Sequence, residues 1–129
     1  MAKIAVPVAS PAATTFVRDK AVTNAAVVGA AGSSSMRMID CNNISNASAA
    51  FLKLYNLAAA SVVFHASTAG SSTNPYVQLK IPASSRLVVT MHTADLTFAT
   101  ALSFAVITTG GTLGTGAMGA ANEVRLLLA

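Results

Sequence analysis

At 129 residues and 13.0 kDa the chain suits one domain and leaves little room for a second. Only 9% of its residues are charged, against roughly 25% in an average soluble protein, while 53% are hydrophobic and the mean hydropathy is +0.62. That balance excludes a disordered chain, which needs low hydrophobicity and high charge. It also argues against a free monomer, because eight cations and four acids cannot cover the surface that a domain of this size leaves in water. In chain order, residues 1–15 carry Pro7 and Pro11 among Ala, Ser and Thr and predict an extended arm, with one domain over 16–129. Residues 20–31 are ambiguous between strand and helix, and the valines Val22, Val27 and Val28 favour a strand.

Short alternating runs follow, separated by turn residues, which is the pattern of an all-β chain. Residues 35–41 set Met36, Met38 and Asp40 against Arg37, Ile39 and Cys41, and Asn42-Asn43 marks a turn. Residues 49–56 put Leu52 and Leu54 on one face and Phe51, Lys53 and Tyr55 on the other. Residues 76–81 alternate most regularly, with Val77, Leu79 and Ile81 inward, and Pro82 ends the run. Residues 86–92 place Leu87, Val89 and Met91 on one face. Residues 101–109 do the same with Leu102, Phe104 and Val106, and residues 122–128 with Val124, Leu126 and Leu128. Six or seven such strands predict a single β-sandwich, jelly-roll-like domain. Several strands, notably 101–109, are apolar on both faces. The expectation is one face for the core and the other for a neighbouring subunit.

The charge of +4 is scattered over Lys3, Arg18, Lys20, Arg37, Lys53, Lys80, Arg86 and Arg125. Nucleic-acid binding needs clustered cations, so no specific nucleic acid is expected as a partner. Cys41 is the single cysteine, which excludes an internal disulfide and reads as a small buried apolar residue. The apolar stretches 47–66 and 87–107 are interrupted by Lys53, Asn56 and His65 and by His92 and Asp95, which argues against membrane spans and for a soluble, unexported chain. Gly114, Gly116 and Gly119 match GxGxxG, but no following helix or acid can complete a dinucleotide site, so the expectation is a Gly-rich connection. His65, His92 and Cys41 lack metal-ligand spacing. His92 and Asp95 come without a nucleophile motif, and Asp19, Asp40, Asp95 and Glu123 are a poor supply for paired-carboxylate chemistry. The sequence thus predicts no enzyme, no catalytic or metal-binding residue and no cofactor. Asn43 and Asn46 open formal glycosylation sequons within a turn.

Four segments carry a family resemblance: FLKLYN (51–56), LKIPASSR (79–86), FATALSFAVITTG (98–110) and AANEV (120–124). In this order they resemble small virion structural proteins of tailed bacteriophages, over roughly residues 35–128. The chain departs from that pattern at Ala101, in the Gly-rich 111–119 loop, and in a C-terminal end without an aromatic residue. The resemblance implies a non-enzymatic particle component. With the arm, it points to a capsid decoration, or cement, protein seated on the lattice of the major capsid protein. It further implies a homo-oligomer, with a trimer favoured, located in the virion and assembled in the host bacterial cytoplasm. The other reading is a tail, fibre or surface-adhesion component binding a host protein or glycan through loops 67–75 and 110–119, with Tyr55 and Tyr76 as the polar aromatics available for stacking.

Overall fold

A computed structural model of the chain describes residues 15–65, 72–91 and 96–129. Within them, nine strands form two antiparallel sheets: β1 (Thr15–Val22), β2 (Val27–Ala30), β3 (Ser34–Asn42), β4 (Ala50–Tyr55), β5 (Val77–Ile81), β6 (Arg86–Thr90), β7 (Thr97–Phe98), β8 (Leu102–Ile107) and β9 (Asn122–Leu128). The described residues add one turn of 3-10 helix, Ala59–Ser61. Sheet A has the order β1-β9-β3-β6, with β7 joining β3, and sheet B has the order β2-β8-β4-β5. The pairs β1–β9, β2–β8, β3–β6 and β4–β5 are the rungs of one nested antiparallel ribbon. Folded over so that successive rungs land in alternate sheets, that ribbon is a jelly roll.

The core lies between the sheets and follows from the period-2 patterning. Met36, Ile39, Cys41, Val124, Leu126 and Leu128 of sheet A face Leu52, Leu54, Ile81, Leu102, Phe104 and Val106 of sheet B, none more than 2% exposed. Each such side chain contributes about 1.5–3 kcal/mol by leaving water. β5 and β9 alternate as their sequences predict, and Pro82 follows the last residue of β5. Leu79 points inward but sits half-buried on the edge strand, so it adds less than Leu52 beside it.

Three features differ from the expectation. Residues 20–31 are not one strand. β1 starts at Thr15 in sheet A, the chain turns over 23–26, where the Thr23 hydroxyl accepts from Ala25 N at 3.2 Å, and β2 resumes in sheet B. Thr15 is therefore part of the domain, while residues 1–14, the rest of the expected arm, lie outside the described residues. Second, Met36 and Met38 do not share a face. They pair with Leu128 and Leu127, consecutive residues of β9, so a bulge at Arg37 shifts the phase. Met36 is buried in the core, and Met38 joins Asp40 on the outer face. Third, β7 is only two residues long, too short for any alternation to announce it.

Candidate interaction surface

The outer faces of the two sheets set the possible sites. On sheet B the connections fold back over the strands. β8 is buried at every position, so Ser103, Ala105 and Ile107 are as hidden as the core residues between them. The expected subunit face of 101–109 is thus covered by the chain itself. Ser103 Oγ donates to Leu57 O at 2.9 Å, and Gly114 N donates to His65 O at 3.0 Å. Two glycines of the GxGxxG match, Gly114 and Gly116, have a structural task here. Gly114 has φ +120°, a conformation closed to other residues, and a Cβ on it would come within 2.6 Å of the Thr109 side chain. A Cβ on Gly110 would meet the Phe51 ring at 2.8 Å, so this loop backbone lies directly on β4.

Lys53 fastens the same loop. Alternation places its side chain outward on β4, yet it is fully buried, donating from Nζ to Gly111 O at 2.6 Å and Leu113 O at 3.0 Å. Burial lowers its pKa from the ordinary lysine value. Tyr55, two residues on, is fully buried, meets Phe64 edge-on with ring centroids 5.8 Å apart, and has no partner for its hydroxyl among the described residues. Burial pushes that phenol up to about 12. Tyr55 is therefore unavailable for stacking on a glycan, which leaves the exposed Tyr76, itself edge-on to Phe98 at 5.3 Å.

Sheet A has a different back. Its register defines two outward rows across the strands: Phe16–Leu127–Met38–Thr90, then Arg18–Arg125–Asp40–Val88. Phe16 is 56% exposed and Val88 51%, while Leu127 and Met38 are half-buried and do not pack on the core. The charges are already paired. Arg86 Nε donates to Asp40 Oδ1 at 2.7 Å, and its Nη2 binds Asp40 Oδ2, a bidentate contact. Arg125 Nε donates to Glu123 Oε1 at 2.5 Å, and Arg18 Nε reaches the same oxygen at 3.1 Å. Arg125 Nη1 lies 3.7 Å from Asp40 Oδ2. The Arg86 hydrogen bond holds the Asp40 carboxyl below the usual carboxylate range, outweighing the burial that would raise it. Arg18 does the same for Glu123. The space between Asp40, Asn42, Arg86, Glu123 and Arg125 is about 10 Å³, room for one water at most.

The remaining candidates are structural among the described residues. Asn43, Asn46 and Asn122 are buried and bond one another: Asn46 Nδ2 and Asn122 Nδ2 donate to Asn43 Oδ1 at 2.9 and 2.8 Å. Asn43 Nδ2 also donates to Ser48 O and Pro82 O, and Asn46 Oδ1 accepts from Ala120 N at 2.7 Å. This trio locks the β3–β4 turn to the β5–β6 turn and to the start of β9. Both sequon amides are occupied in it. Cys41 is buried in the core, where desolvation pushes its thiol up to about 12. His92 and Asp95 lie outside the described residues. Among the described residues no three His, Cys, Asp or Glu side chains cluster as metal ligands, and no helix is long and apolar enough to cross a membrane. A groove of about 250 Å³ runs between Ala21–Asn24 and Ala117–Ala121, lined by small residues and Met118.

No family model, no curated protein and no solved structure matches the chain.

Proposed function

We propose that the chain is a non-enzymatic structural component of a bacteriophage particle: a capsid decoration protein that binds the lattice of the major capsid protein and stabilises the mature head. The reading starts from the resemblance carried by FLKLYN, LKIPASSR and AANEV. The observation that carries it further is the contrast between the two sheet backs. One is closed over its central strands β4 and β8 by the chain's own loops, while Val28 on the edge strand β2 stays exposed. The other is an open, apolar-edged face on which Arg18, Asp40, Arg86, Glu123 and Arg125 pair with one another. A neighbour covering the row Arg18–Arg125–Asp40 leaves none of these five charges unpaired, and burying an unpaired charge would cost several kcal/mol. A clamp that binds only the mature lattice stabilises it by mass action, and charge-poor faces suit permanent contacts of this kind. In this reading the protein works as a homo-oligomer, a trimer by preference, within the virion.

Quantitative mass spectrometry of purified particles tests the proposal. A decoration protein is present in copies on the order of the capsid protein's. A handful of copies per particle would reject it and favour the tail or fibre reading.

A further inference from the structure

Sheet A ends in a strand whose outer edge is unpaired and unprotected. We propose that β6 (Arg86–Thr90) joins the β6 of a second copy in antiparallel register, so that the two sheets A continue as one across a two-fold axis. The inference goes beyond the particle reading, and it gives the homo-oligomer a two-fold contact in place of the trimer that the resemblance favours.

The ladder between β3 and β6 decides which backbone groups are free. Asn43 N donates to Ser85 O and Met91 N to Arg37 O, both at 2.8 Å, and the pairs Cys41–Leu87 and Ile39–Val89 fall in the same phase between them. Hydrogen-bonded positions alternate along an antiparallel pair. Leu87 and Val89 therefore bond to β3, and the N–H and C=O groups of Arg86, Val88 and Thr90 point away from it. All three residues are exposed. β6 ends the strand order of sheet A, and no hydrogen bond from the described residues reaches these backbone groups.

A row of unpaired donors and acceptors is a template for another strand, and proteins blunt the edges that must stay free. The other edges are blunted. β1 carries Arg18, Asp19 and Lys20 and a bulge between Asp19 and Val22. β2 has four residues and a bulge between Val28 and Ala30. β5 carries Lys80 and runs into Pro82. β6, RLVVT, has no Lys, Gly, Pro or bulge, and its one charge, Arg86, is held by Asp40.

The strand is also complementary to itself. With Val88 opposite Val88 of the second copy, Arg86 faces Thr90 and Leu87 faces Val89. Each of the pairs formed by Arg86, Val88 and Thr90 then exchanges two N–H···O bonds, so every free group of the edge is used. The axis runs perpendicular to the sheet, so inward residues stay on the core side in both copies. Val88, 51% exposed, gains an apolar cross-strand neighbour. The two Arg86 residues lie at opposite ends of the ladder, about 13 Å apart at ~3.3 Å per residue, beyond the ~10 Å screening length at 0.1 M salt. A two-fold contact consumes the edge on both copies at once and cannot propagate into a filament. That closure favours a second copy over a foreign strand.

Sedimentation equilibrium of the full-length protein tests the pairing. Wild type is expected to be a dimer at about 100 μM. Val88→Pro removes an N–H that makes no bond to β3, so it should fold and weaken the dimer at least about tenfold. Val88→Asp, which sets two carboxylates opposite each other, serves should Val88→Pro fail to fold, and is expected to be monomeric. Under mild oxidation Val88→Cys should cross-link, since its counterpart lies about 5.5 Å away at Cα, within disulfide reach. Thr90→Cys, about 13 Å from its counterpart, should not, and Cys41 is buried away from both. A monomeric wild type, a trimer, a folded Val88→Pro or Val88→Asp protein that dimerises like wild type, or Thr90→Cys cross-linking as readily as Val88→Cys would each overturn the proposal. Copy number in particles is a separate readout. A dimer present in only a handful of copies removes the decoration reading alone, and full occupancy by a monomeric protein removes the strand pairing alone.

Discussion

The two sheets share one core and differ in what lies on their backs. Sheet B carries Phe51, Lys53, Tyr55, Ala105 and Ile107 outward, and the 56–65 and 108–119 connections close over them until all but Phe51 are buried. Sheet A carries Phe16, Met38, Val88 and Leu127 outward with a paired charge row, and Phe16 and Val88 stay more than half exposed. Both backs carry large apolar residues in sequence. The difference lies in the loops: Gly110, Gly114 and Gly116 let a backbone lie flat on sheet B, whereas Phe16 and Val88 on sheet A are left exposed by the described residues. An apolar outer face therefore does not by itself mark an interface, since a long enough glycine-bearing connection can satisfy it internally.

Matched substitutions on the two backs probe this contrast. The largest effect is expected for Ala105→Asp, which forces a carboxylate under the closed loop of sheet B. It should cost more than about 4 kcal/mol and leave the domain unfolded, as read by denaturant titration. A folded Ala105→Asp protein would mean that the loop does not seal this face. Next comes Lys53→Met. It removes the donor to Gly111 O and Leu113 O, so a loss of about 1–3 kcal/mol is expected, with faster hydrogen exchange confined to residues 108–116. Protection unchanged there would show that the glycines alone hold the loop.

The titration of two charges sets the pH response. Because the folded state holds Asp40 below its ordinary value, the stability it contributes is present above the usual aspartate range, near 3.9, and is lost as the pH falls through the lowered value. Asp40→Asn should flatten that acid limb of the stability curve; an unaltered limb would assign it elsewhere. Lys53 has the opposite linkage. Its folded pKa is lowered, so the unfolded chain binds the extra proton, and stability should rise as the pH climbs toward the ordinary lysine range. The smallest effect is expected on the open back, where Val88→Asp, directly cross-strand from Asp40, should cost no more than about 1 kcal/mol in the isolated domain. A loss comparable with that of Ala105→Asp would erase the distinction between the two faces.

Strands whose neighbours obey the pleat were readable in the sequence. β5 and β9 alternate over their whole length, so their inward residues follow directly. β1 was hidden because TFVRDKAV offers only Val17 and Val22 to the core, out of phase across the bulge between Asp19 and Val22. The bulge in β3 likewise reversed Met38 relative to Met36, and a single inserted residue leaves no compositional mark. The double apolar character of 101–109 was legible, but what covers it was not, because Ser, Gly and Thr in a connection record neither its path nor its contacts. Lys53 shows the same limit: its burial is decided by a loop some sixty residues later. The asparagine-rich turn announced itself, while its bond to Asn122, 79 residues away, could be found only in three dimensions.

Thiol labelling tests the central claim most directly, because Cys41 is buried with a raised pKa and gives a silent background. A cysteine is placed at Val88 on the open back of sheet A or, as a control, at the exposed Lys80 on the edge strand of sheet B. Maleimide labelling rates are then compared between the isolated protein and its assembled form in purified particles. The account predicts that labelling at position 88 slows at least about tenfold on assembly, while labelling at position 80 is unchanged. Unchanged labelling at 88 with protection at 80 would contradict it, placing the contact on the back that the chain has already closed.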